Sequence, residues 1–62
     1  MDLPMVTMTD ESEARALMVS RNRTRRGRTE LTVMVEGPED GEFTVMGLRD
    51  AVEGGFAYRW EV

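Results

Sequence analysis

The chain has 62 residues, 12 acidic side chains against 8 basic ones, and a formal net charge of −4, which allows one small domain at most, spanning 1–62. With no Cys and no His, disulfide staples, thiolate zinc sites, Ser/His triads and cysteine nucleophiles are excluded. Apolar residues make up 40% and charged residues 32%, a balance that favours a compact fold over disorder. No apolar run approaches the roughly 18 residues that span a bilayer, and residues 1–9 lack the basic start and long apolar stretch of a signal peptide, so a cytoplasmic protein is expected.

In chain order, residues 3–8 (LPMVTM) read as a short β-prone run, with Pro4 suited to a strand start or an edge. Asp10 can cap a following helix, and Glu11 and Glu13 place negative charge at its positive end. Ala14, Leu17, Met18 and Arg21 fall at helical spacing, which predicts a helix over 11–21. A rival reading makes 16–21 a strand that pairs with the next segment through a long arginine-rich turn.

In 28–36 (RTELTVMVE), Leu31, Val33 and Val35 alternate with Thr32, Met34 and Glu36, a strand with one apolar face. The run GPEDG is a turn, returning the chain into a strand over 42–46 on which Phe43 and Val45 join that apolar face. Leu48, Ala51 and Val52 then suit a short helix before Gly54 and Gly55. The last run, FAYRWEV, predicts a strand with Phe56, Tyr58 and Trp60 on one side, read as core.

The expected architecture is α+β, a small antiparallel sheet with one main helix on one face in the order βαββαβ, ferredoxin-like. The connection 46–56 is short for a crossover, so a small β-barrel or β-meander is the alternative. Nothing in the composition staples so small a chain, which points to association with a second copy or a partner.

Three features bear on function. Five of the eight residues 21–28 are Arg: Arg21, Arg23, Arg25, Arg26 and Arg28. Removing those five charges from −4 leaves −9 on the other 54 residues, a strongly bipolar chain. All eight basic residues are Arg, whose planar fork suits phosphate or carboxylate. Such a loop can grip nucleic-acid phosphates, clamp an acidic protein surface, or serve as a solvated connector. Second, the aromatic stripe could stack bases, although core packing is the reading its alternation favours. Third, Met34 and Met46, placed together on the reverse face of the hairpin, form with Arg59 a candidate docking or dimer surface.

No carboxylate has the apolar pocket or partner base of a general acid, Ser12 and Ser20 have no activator, and the glycines form no phosphate-cradling loop. The acidic group Glu36, Glu39, Asp40 and Glu42 lacks the ligand spacing of a calcium loop and reads as a solvated turn. A non-enzyme without metal or cofactor is therefore expected. In size and pattern, residues 30–62 resemble small phage-encoded inhibitors, which implies an inhibitor or adaptor acting on a protein partner. The expected function is a small accessory protein that binds a macromolecular protein partner through the arginine-rich loop and an exposed sheet face, with a homodimer as a further expectation. A nucleic-acid-binding module using the same loop is the alternative.

Overall fold

A computed structural model describes residues 5–24 and 30–62. Their element order is β1 (Val6–Met8), α1 (Glu11–Arg23), β2 (Thr32–Glu36), β3 (Phe43–Gly47) and α2 (Leu48–Glu53). The strands form one open antiparallel sheet in the order β1-β3-β2, making a small α+β domain with two helices. Both β1 and β2 run antiparallel to the central β3, so they are parallel to each other and α1 crosses between them over one sheet face. The open sheet and this crossover replace the alternative of a closed barrel or a simple meander. Leu3 and Pro4, at the start of the expected first strand, lie outside the described residues.

Helix α1 forms where its cap and apolar spacing agree. The Asp10 carboxylate accepts a hydrogen bond from the Glu13 N–H at 3.2 Å, satisfying one of the helix's unpaired donors. Ala14, Met18 and Asn22, four residues apart, are its buried positions, one face of a 3.6-residue repeat. The rival strand over 16–21 is thereby overturned. At the far end Thr24 donates from both its N–H and its hydroxyl to Ser20 O.

The β2–β3 hairpin forms as expected, but its register differs by one residue. Gly37 N–H donates to Glu42 O at 2.8 Å, so Glu42 faces Gly37 and not Glu36, and the first strand pair is Glu36 with Phe43. Gly37 and Gly41 take φ of 119° and 82°, values that glycine adopts without steric cost. Because side chains alternate along a strand, a one-residue slip moves each to the other face. Val45 therefore lies opposite Met34, and Met46 opposite Val33.

Two small cores result. Ala14, Met18, Met34 and Val45 pack under α1, with Met8, Leu17, Val19 and Phe43 around them. Val33, Val35, Met46 and Ala51 pack under α2, with Leu31 and Leu48 around them. Both faces of β2 are buried, and the solvent-facing side expected of this strand does not exist. Across β1 and β3, Thr44 donates from its hydroxyl to Gly37 O at 2.8 Å and meets the Thr7 hydroxyl at 3.0 Å.

Helix α2 begins at Gly47, which has no side chain with which to cap it. Glu30 does so from across the sheet end, its carboxylate accepting from Arg49 N–H at 3.0 Å. A Cβ at Gly47 would collide with that carboxylate. The helix stops at Gly54, and Gly55 takes φ of 72°, the stop the sequence led us to expect.

The expected final strand is the main departure. Residues 56–62 form no strand; they touch the sheet through one isolated antiparallel bridge between Met34 and Arg59 on the outer edge of β2. Phe56, Tyr58 and Trp60 are 49%, 42% and 55% exposed, which corrects their assignment to the core. The two cores are already closed by aliphatic and Met side chains and Phe43 from the helices and strands, so the rings of Phe56, Tyr58 and Trp60 have no interior to enter.

Candidate binding surface

The outer edge of β2 carries unpaired backbone groups that must find partners. At Met34 they are satisfied by main chain: Met34 N–H donates to Arg59 O at 2.9 Å, and Arg59 N–H to Met34 O at 3.0 Å. At Thr32 they are satisfied by a side chain. The buried Asn22 amide accepts from Thr32 N–H at 2.8 Å and donates to Thr32 O at 2.9 Å. The same Nδ2 donates to Glu61 O at 2.7 Å. Asn22 thus stands between β2 and the 56–62 segment as if it were a strand residue.

Ion pairs fasten the same segment to α1. Arg15 donates from Nε and Nη2 to the two Glu61 carboxylate oxygens at 2.6 and 2.7 Å, a bidentate fork. This bond holds the Glu61 carboxyl below its ordinary value and the Arg15 guanidinium above its own. Arg59 reaches Glu11 at 3.1 Å and Glu36 at 3.6 Å. These pairs are exposed, so water and salt weaken them, and they orient the segment more than they stabilise it.

A groove of about 580 Å³ opens between α1 and this segment, with Met18 and Met34 at its base and Glu11, Arg15, Tyr58 and Trp60 among its walls. Phe56 lies beyond it, its ring packed over Gly54. The rim is mixed in charge: Arg15 and Arg59 are matched by Glu61, Glu11 and Glu36.

Of the residues singled out in the sequence, Arg21 is half-buried and Arg23 exposed in the last turn of α1. Arg25, Arg26 and Arg28 lie outside the described residues. Met34 and Met46 are not brought together: the one-residue register difference puts them on opposite faces, each 3% exposed, inside the two cores. Arg59 is exposed at the segment's edge and is engaged by Glu11 and Glu36. All three arginines outside the 21–28 run are ion-paired, the third being Arg49 with Glu53 at 3.8 Å.

Sequence reasoning missed Asn22 and the Arg15–Glu61 pair. Asn22 had a signal, since it stands four residues after Met18 on the Ala14–Met18 stripe. The Arg15–Glu61 pair, 46 residues apart, had none. Among the described residues no carboxylate group is arranged to hold a metal ion, and no helix is long and apolar enough to cross a membrane. No protein-family model, curated protein or solved structure matches the chain.

Proposed function

We propose that this chain is a small non-enzymatic accessory protein that docks on a macromolecular protein partner, with the aromatic 56–62 segment as its principal contact and the arginine-rich run 21–28 as a second one. The observation that carries this reading is the exposure of Phe56, Tyr58 and Trp60, three of the four aromatic residues in the chain. A single exposed apolar side chain is ordinary, but three at alternate positions of one segment, with Val52 and Val62 also exposed before and after them in the chain, gather apolar surface on its last eleven residues. Tyr and Trp anchor protein interfaces because they bury large area at low entropic cost.

The charge around the segment favours protein over nucleic acid. A stacking platform for single strands is flanked by uncompensated cations, whereas here Arg15 and Arg59 are matched by carboxylates. The nucleic-acid reading rests on the five arginines of 21–28 alone.

Trp60 is the only Trp, so its fluorescence reports on this surface without a label. The reading predicts that a protein retained on immobilised wild-type chain is lost with Tyr58→Ser plus Trp60→Ser, while a generic oligonucleotide leaves Trp60 emission unchanged at low salt. Equal retention by the double variant would contradict it. So would oligonucleotide binding whose affinity falls steeply with salt, by about 0.7 decades per decade of salt for each phosphate neutralised.

A further inference from the structure

We infer that the outer edge of β2 is a strand-accepting site that a second copy of this chain fills by exchanging its 56–62 segment reciprocally, giving a two-fold dimer. This concerns self-association and stands apart from the partner reading above.

Apart from Phe56, whose N–H donates to Ala51 O at 3.0 Å and whose ring lies over Gly54, the segment's contacts to the rest of the chain are the Met34–Arg59 backbone pair, the Asn22 bond to Glu61 O, and the ion pairs Arg15–Glu61, Arg59–Glu11 and Arg59–Glu36. Every one of these partners lies before residue 37, and none needs the segment to come from the same chain. A second copy carries an identical segment and an identical edge, so the same bonds form in trans, with the same charge complementarity.

The segment is also joined to α2 by a pivot. Gly54 and Gly55 are adjacent, Gly55 takes φ of 72°, and nothing lies within 4 Å of where its Cβ would be. Opening this turn breaks the Phe56 N–H bond to Ala51 O and rotates the segment away as a unit; none of residues 56–62 belongs to either core, and the groove side of Met18 and Met34 that it uncovers is covered again by the segment of the second copy.

What exchange adds is burial beside the pivot. In a reciprocal pair the two connecting stretches cross next to one another. Val52, 60% exposed, and Phe56 flank that pivot, so crossing brings two copies of each together, apolar surface that one chain leaves in water. A domain this small has little other means of covering it.

The chain has no Cys, so single cysteines give an unambiguous test. Arg15→Cys and Glu61→Cys chains, one carrying a mass tag, are mixed at rising concentration and treated with a short bis-maleimide. Exchange predicts a cross-link between the two chains that increases with concentration, together with a light-scattering mass that moves from 7.1 kDa towards twice that value for the wild type. Deleting Gly54 and Gly55 removes the turn that lets the segment fold back and predicts a dimer already at micromolar concentration. A wild-type mass of 7.1 kDa up to millimolar concentration, a dimer in which residues 15 and 61 do not cross-link between chains, or a folded deletion variant that stays monomeric would each overturn the inference.

Discussion

Asn22 and Thr32 pair as two strand residues do, although one contributes its side chain: Asn22 Oδ1 accepts from Thr32 N–H and Nδ2 donates to Thr32 O. Both residues are buried, at 5% and 1% exposure. Removing the amide leaves the Thr32 N–H and C=O without partners away from water. Asn22→Ala is therefore expected to destabilise the fold by about 2 to 3 kcal/mol, read as a lower urea midpoint at unchanged slope. For so small a domain this is a large share of its stability.

A second relationship links Glu30 to Gly47. The backbone at Gly47 has φ of −70° and ψ of 150°, which any residue adopts, so the glycine is there for space and not for conformation. Gly47→Ala pushes a methyl group into the carboxylate that caps α2 and is expected to cost about 1 kcal/mol, as is Glu30→Ala. Because both lose the same cap, Gly47→Ala in a Glu30→Ala background should cost far less than in the wild type. A double-mutant cycle with strictly additive losses would contradict this.

The Arg15–Glu61 fork makes the seating of the 56–62 segment sensitive to acid. Glu61 lies below its ordinary 4.5 because Arg15 bonds the ionised form. The stabilisation is thus complete above the unfolded value and is lost as pH falls through the lower folded value. Trp60 emission should change on acidification below about pH 4.5, and Glu61→Gln should remove that component of the titration.

The two methionines at positions 18 and 5 make a contrast of burial. Met18 is 1% exposed under α1 and Met5 is 58% exposed before β1. Met18→Ala is expected to cost about 2 to 5 kcal/mol, enough to unfold much of the population, whereas Met5→Ala should stay within about 0.5 kcal/mol. Thermal unfolding of the two variants side by side decides it.

The local elements were legible in the sequence because each rests on a local cause. Asp10 and the Ala14–Met18 spacing announce α1, alternation announces β2, and Gly54–Gly55 announce the end of α2. What escaped depends on contacts distant in the chain. The hairpin register turned on whether Glu36 or Gly37 faces Glu42, and that one-residue difference moved Val45 and Met46 each to the other face. The aromatic stripe alternates as a core strand would, and only the closure of both cores by other side chains leaves it outside. Asn22 was legible in position but not in role, since nothing local says that the edge of β2 needs an amide.

Both the proposed surface and the exchange site require that residues 59–61 be fixed along the edge of β2 and not merely lie near it. Amide hydrogen exchange on the wild type and on Asn22→Ala tests this most directly. The Arg59 N–H should exchange slowly, together with Met34, in the wild type, and should lose protection in Asn22→Ala conditions where the β1–β3 pairs still keep theirs. An Arg59 amide that exchanges in the wild type at the rate of an unstructured peptide would contradict the account.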